Sequence, residues 1–335
     1  MKQLLAIILI ITLPFFSFAQ YVYSNLTVDF LENPATVSVY SFENLRLYPI
    51  RAKQSFMNQF AGTGKFIPLK EAIEKNKIKI TEKNNSGEVN SLTVENISTD
   101  TIIIITGDII KGGKQDRVIN QDILLVPHSG KKNLPVYCVE SGRWTSGDRA
   151  VQLNTRSSTS GAVKNTSPAE FKGYYNKASV SLRKVIEKDK DQSKVWSKVD
   201  ELNTSNKTQT ETKTYTAMNN SAEFKNKLDK YLSFFKNKFS ADKEVIGVII
   251  VSGNKVLGCD MFATHDLFLI QYESLLYSYA TEAIVNGKTV SISAATVKSY
   301  TDELMADERA QEATIKRKGN SFVEKGKKLR VSSFD

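Results

Sequence analysis

The sequence predicts an α+β fold, with a β-rich N-terminal half followed by helices and a buried β-hairpin that share one core with it. Three observations carry that prediction. Short β-branched or alternating stretches separated by turn residues fill the chain to about residue 145. Apolar residues then recur at helical spacing, as in Phe224, Leu228, Tyr231, Leu232 and Phe235. Finally, Val245 to Phe262 is apolar on both faces around a Ser252-Gly253-Asn254-Lys255 turn, the pattern of a hairpin covered on both sides.

In chain order the first element is a leader. Met1-Lys2-Gln3, an apolar run from Leu4 to Phe18 and the small residues Ser17 and Ala19 before Gln20 predict a secretory signal over residues 1–19. A spanning helix takes roughly 20 apolar residues, and Pro14 interrupts this shorter run. No cysteine stands at the cleavage point to carry a lipid. The expectation is an exported chain, periplasmic or secreted, with no transmembrane anchor after cleavage; a retained anchor is the alternative. Export would put Cys138 and Cys259 in an oxidising space where a disulfide is allowed. Two buried free thiols are the other reading.

The mature part is read as a single domain over residues 20–305. Thr36 to Tyr40 reads as a strand, and Pro68 to Lys75 as a short helix with Pro68 at its first position. Strands follow at Lys77 to Thr81, Val89 to Asn96, Thr101 to Ile105, Arg117 to Ile119, Ile123 to Val126 and Leu134 to Val139. Ser157 to Ser167 is a loop by composition. Helices are expected over Ala169 to Ile186, Asp191 to Leu202 and Ala222 to Phe239. After the hairpin, Thr264 or Asp266 caps a long helix to about Val285, and another covers Ala294 to Met305. Residues 306–335 form a basic tail with little apolar periodicity, read as irregular.

The composition excludes several classes. Seventeen Gly and 7 Pro rule out a collagenous chain, and 2 Cys rule out a disulfide-stapled miniprotein. The 46 basic and 36 acidic residues give a formal charge of +10, or +9 once Lys2 leaves with the leader. That surplus invites nucleic acid, but no reading motif or basic-aromatic interleaving accompanies it. A solvated surface is the better account, and nucleic acid is not an expected partner. His128 and His265 lie apart and supply no metal-ligand set, and the sequence names no cofactor.

Three segments carry side chains suited to chemistry. In Gly107 to Arg117 the paired glycines could let backbone approach a ligand, with Lys114 and Arg117 adding positive charge and Gln115 a hydrogen bond. Its spacing is not that of a phosphate-binding P-loop, and a plain β-turn with exposed charges is the alternative. In Val136 to Trp144, Glu140, Arg143 and Trp144 end an apolar strand. Trp144 could stack on a sugar or base while Arg143 grips an acidic group. A Glu140–Arg ion pair beside a packed tryptophan explains the same residues structurally. The third is Asp260, a single carboxylate in the apolar return strand of the hairpin. If buried it needs a partner, for which Lys114, Arg117 or Arg143 are candidates.

Gly112-Gly113-Lys114-Gln115-Asp116-Arg117, Leu124-Leu125-Val126-Pro127 and Pro135-Val136-Tyr137-Cys138-Val139-Glu140-Ser141-Gly142-Arg143-Trp144 together resemble the ARG and Rhodanese-Phosphatase-superfamily-associated protein domain family. Lys194 to Val199, Val245 to Phe262 and Leu275 to Ala280 extend the resemblance, which covers about residues 45–290. Asp116 departs from it, since an amide is expected there, and so does Cys259, where an aliphatic residue is more usual. The resemblance implies that Lys114, Gln115, Arg117, Glu140, Arg143 and Trp144 belong to one site. By association it also implies a nucleotide or ADP-ribose-like ligand.

The functional expectation is an exported domain that binds an anionic small molecule (a nucleotide, an ADP-ribose-like compound or a sugar phosphate) at this basic and aromatic cluster. Two alternatives stand beside it. One is a hydrolase acting on a phosphate or glycosidic bond, with Asp260 or Glu140 as acid/base. The other is a non-catalytic envelope protein whose motifs are structural.

Overall fold

The computed structural model describes residues 20–84, 87–143 and 169–335. Trp144, the 157–167 loop and the leader therefore lie outside the described residues. Strands and helices are numbered in chain order.

Seven strands form the largest sheet, in the order β1 (Leu26–Val28), β3 (Leu45–Ala52), β13 (Val245–Ser252), β14 (Lys255–Phe262), β16 (Lys327–Phe334), β15 (Gly319–Glu324), with β2 (Ser41–Phe42) also paired to β3. Every residue of β13 is buried, as its unbroken run Val245-Ile246-Gly247-Val248-Ile249-Ile250-Val251 requires of a strand with neighbours on both edges and cover on both faces. Gly253 turns the hairpin with φ +62, the conformation the two-residue turns favour at their first central position. Gly247 is needed for a different reason. A Cβ there would sit 2.3 Å from the Asp260 carbonyl oxygen, so the close approach of β13 to β14 depends on its absence.

The second sheet has six strands, in the order β12 (Phe171–Lys177), β8 (Asp108–Gly112), β9 (Arg117–Ile119), β11 (Gly130–Cys138), β6 (Ser91–Asn96), β5 (Ile78–Glu82). Three more strands, β10 (Ile123–Leu125), β7 (Ile102–Ile104) and β4 (Ile67–Pro68), make a small third sheet. Helix α3 (Leu69–Glu74) follows β4 directly and shares a satellite core with these strands, including Leu69, Ile80, Val94, Ile104 and Val136. The main core draws on both halves of the chain, from Leu47 and Ile50 through Ile249 to Leu275 and Tyr279.

The helices of the C-terminal half are α4 (Val180–Lys184, running into a wide turn Val185–Asp189), α5 (Gln192–Ser205), α6 (Ala222–Phe235), α7 (His265–Val285), α8 (Ala294–Met305) and α9 (Glu308–Lys318). Two short helices, α1 (Pro34–Val39) and α2 (Gln54–Gln59), precede α3. Helix α7 is buried almost all round, which fits its apolar character on every face. Thr264 caps it by accepting from the Leu267 amide at 3.1 Å.

The structure corrects the sequence reading at three places. Thr36 to Tyr40 belongs mostly to helix α1, because Asn33 caps the Ala35 amide at 2.9 Å and Pro34 presets the first turn. Phe171 to Lys177 is strand β12 and not the start of a helix. Its Gly173-Tyr174-Tyr175 core pairs with β8 through two register shifts, and those irregularities blurred the two-residue period.

The largest difference is the tail. Residues 306–335, read as irregular, form helix α9 and the β15–β16 hairpin, and β16 lies between β14 and β15 in the main sheet. Asp307 caps α9 by accepting from the Ala310 amide at 2.8 Å. Lys327, Lys328 and Arg330 mask the apolar pattern of a strand whose last six residues, Leu329–Phe334, are buried.

Candidate functional site

The motif residues come together at one end of the second sheet, where β8 ends, β9 begins and β11 runs out. Arg117 is fully buried. Its guanidinium donates to the Gln115 side-chain oxygen (3.1 Å) and backbone oxygen (3.2 Å), and it lies 3.6 Å from Glu82. The Gln115 oxygen also accepts from the Cys138 thiol at 2.9 Å. Glu82 accepts from the Lys114 amide at 3.0 Å.

One strand further on, Arg143 lies 2.7 Å from Glu140 and donates to Asp116 (3.1 Å) and to the Gly112 carbonyl (3.0 Å). Glu140 accepts from the Asp116 amide at 3.0 Å, and Asp116 accepts from the Thr214 hydroxyl at 3.3 Å. Burial, and next the neighbouring Glu140, raise the Asp116 carboxyl above its usual range. Lys114, Gln115, Arg117, Glu140 and Arg143 are thus one cluster. Trp144 is outside the described residues.

The arrangement changes what these residues can do. Two guanidiniums, Arg117 and Arg143, pair with three carboxylates, Glu82, Asp116 and Glu140, so the paired groups offer no surplus positive charge. The paired glycines make their close approach within the protein. A Cβ on Gly113 would meet the Phe171 ring at 2.3 Å, and one on Gly112 would meet the Glu170 carbonyl at 2.8 Å. The glycines serve the packing of β8 against β12.

Asp260 does not join this cluster. It is almost wholly buried and accepts a two-pronged pair of bonds from Arg183, at 2.9 and 2.5 Å. Tyr279 donates to it at 2.8 Å, and Arg330 reaches it at 3.4 Å. Arg330 also donates to Asp122 (2.9 Å) and Glu187 (3.0 Å). Ser332 closes the network by donating to Glu187 at 2.7 Å. The candidate partners Lys114, Arg117 and Arg143 belong to the cluster at the other sheet, whereas Arg330 stands on the strand next to Asp260, two positions from Ser332, the residue in direct register with it. Asp260 faces desolvation, yet Arg183 foremost among its partners holds its carboxyl well below the usual range.

Cys138 and Cys259 are both free and buried, so the disulfide that export would allow is not formed. Burial pushes the Cys138 thiol up to about 11, which makes it a poor nucleophile. Among the described residues no three His, Cys, Asp or Glu side chains are placed to hold a metal ion. No helix among them is long and apolar enough to cross a membrane.

A cleft of about 830 Å³ opens at the N-terminus of α7. Phe56, Met57, Phe60 and Ile246 give it an apolar wall, and Gly62-Thr63-Gly64-Lys65 curls along its edge with φ +77 at Gly62 and +95 at Gly64. Lys65 and Lys243 line it as exposed cations. His265, 7% exposed, is also in the wall. Its Nδ1 meets the Val245 carbonyl oxygen at 2.7 Å, while its Nε2 has no hydrogen-bond partner. With a proton fixed on Nδ1, the neutral ring leaves Nε2 as an acceptor, and the protonated ring makes it a donor.

The positive end of a 21-residue helix adds to this side of the cleft, partly offset by Asp266 in its first turn. The sequence reading placed His265 at a helix start and passed over Gly62 to Lys65. A Gly-x-Gly-Lys run ahead of a short helix was the available signal.

Fold and site together define an α+β domain with an internally paired polar cluster and a separate amphipathic cleft. Residues 35–334 match the model of the ARG and Rhodanese-Phosphatase-superfamily-associated Protein domain, and the chain belongs to that family. No curated protein and no solved structure matches it.

Proposed function

We propose that the chain is a binding domain for an anionic small molecule, held in the cleft at the N-terminus of α7. The observation that carries this reading is the unpartnered His265 Nε2 in a cleft wall flanked by Lys65 and Lys243. A buried polar atom without a partner costs free energy that a ligand can recover. The two lysines outnumber Asp266 by one charge and would favour a phosphate or carboxylate. The Phe56, Met57, Phe60 and Ile246 wall suits an apolar or ring-bearing remainder, and the volume falls within the range of small-molecule sites.

A thermal-shift screen of nucleotides, ADP-ribose, sugar phosphates and apolar carboxylates tests it. A ligand at about 100 times its dissociation constant should stabilise the protein by about 2.7 kcal/mol. Lys65→Ala with Lys243→Ala should weaken that ligand about tenfold or more and leave the unliganded melting temperature nearly unchanged, because both side chains are exposed. Undiminished affinity in the double variant would overturn the assignment of the cleft.

Export is part of the same proposal, resting on the leader-like sequence of residues 1–19. The expected result is a mature protein beginning at Gln20 in the extracytoplasmic fraction, read by N-terminal sequencing. An intact Met1 on a cytoplasmic protein would count against it.

For Gln115, Arg117, Glu140 and Arg143 a structural role is favoured by one specific observation: three carboxylates, Glu82, Asp116 and Glu140, already pair with the cluster's two guanidiniums.

A further inference from the structure

A second cavity, of about 380 Å³, lies one to two turns along α7 from the cleft, between that helix, α3 and the β8–β12 pair. Its polar groups differ in kind from those of the cleft. Asp108, only 2% exposed, is in its wall. The carboxylate accepts from the Lys177 ammonium at 2.6 Å and from the Tyr174 hydroxyl at 3.0 Å, both on Oδ1, so Oδ2 is the oxygen available to a ligand. Lys177 is itself fully buried and matches the charge of Asp108 from behind. The wall therefore presents a hydrogen-bond acceptor without an uncompensated charge.

Gln271 supplies the complementary donor. It is 1% exposed, it lines the same cavity, and its amide Nε2 has no hydrogen-bond partner. An orphaned buried amide costs free energy, so its place beside a cavity is informative. Around the mouth, Lys70 pairs with Glu273 at 2.8 Å and Lys75 with Glu71 at 2.8 Å, which cancels most of the charge a ligand would meet. Pro68 and Ile270 add an apolar strip.

We propose that this cavity binds an uncharged polyhydroxylated small molecule, a sugar or sugar alcohol, through Asp108 and Gln271. A hydroxyl both donates and accepts, so adjacent hydroxyls can satisfy a carboxylate oxygen and an amide N–H together, which a purely apolar or purely charged ligand cannot. The C–H face of a ring fits against Pro68 and Ile270. A volume near the lower end of the small-molecule range sets the size at one or two rings.

The two cavities share Leu269 and Ile270 in their walls but none of the polar groups on which either assignment depends. This proposal therefore does not rest on the anionic-ligand reading.

Ligand-observed NMR on the purified protein tests it, with D-ribose, D-glucose, myo-inositol and D-mannitol as probes. Saturable binding of at least one probe below about 20 mM is expected. Sugars and sugar alcohols are separated by which of the four saturates. Gln271→Met should weaken that probe about fivefold or more while the melting temperature holds or rises, since methionine leaves no orphaned amide. Tyr174→Phe, which removes a hydroxyl from Asp108 with little change of shape, is the second variant and should also weaken binding. Lys65→Ala with Lys243→Ala should leave it unchanged. Absence of saturation by all four probes, or affinity retained in both Gln271→Met and Tyr174→Phe, would overturn the proposal.

Discussion

Arg330→Ala is expected to destabilise the protein by about 3–5 kcal/mol, read as a lower denaturation midpoint with an unchanged slope. The size follows from what the guanidinium touches. Its two terminal nitrogens reach Asp122, Glu187 and Asp260, and all four side chains are buried. Removing the cation leaves three carboxylates with Arg183 as their remaining close guanidinium, which pairs with Asp260 at 2.5 Å and lies 3.6 Å from Glu187. Arg330→Lys should recover only part of the loss, because an ammonium keeps the charge but cannot reach three acceptors in one plane. A midpoint unmoved by Arg330→Ala would mean that β16 is not held in the sheet as described.

Asp260→Asn should cost several kcal/mol at neutral pH, and its deficit should shrink on acidification. Because Arg183 and Arg330 depress the folded-state carboxyl, its stabilising contribution is complete above the unfolded value near 3.9. The contribution is lost as pH falls through the lower folded value. Wild type and variant should therefore differ most above about pH 5 and begin to converge only below about pH 4 in matched urea titrations. A deficit independent of pH would show that shape, and not charge, accounts for the effect. The same depression argues against Asp260 as the acid/base of a hydrolase, since a proton-transfer group works best near the operating pH.

The elements that were legible in the sequence were those whose burial and period agree. Strand β13 is apolar throughout because both its faces are covered, and α7 reads from Phe268 to Ala283 because this long, mostly apolar stretch, buried almost all round, contains no Gly or Pro to break a helix. The family resemblance brought together Lys114, Gln115, Arg117, Glu140 and Arg143, and the structure places them in one cluster.

What escaped was structure stabilised by charge. In β16 a buried Arg330 and two buried serines stand where a pattern reader expects aliphatic residues, because their cost is met by partners far away in sequence, Asp122 and Glu187. Asp260 was correctly marked as needing a partner, but register decides which arginine it meets, and register between β14 and β16 is not written locally. The cleft was missed because its lining comes from three separated segments, around residues 56–66, 243–246 and 263–270.

The first described segment meets strand β16. The Lys328 carbonyl oxygen accepts from the Tyr21 hydroxyl at 2.8 Å, and its amide donates to the Gln20 side chain at 2.9 Å. Strand β16 is moreover the last strand of the main sheet in chain order, yet it carries an arginine that neutralises the buried acids. A growing chain can pair β13 with β14 as soon as both exist, but it cannot close the main sheet before residue 334 is available. Such late, long-range closure makes for slow folding.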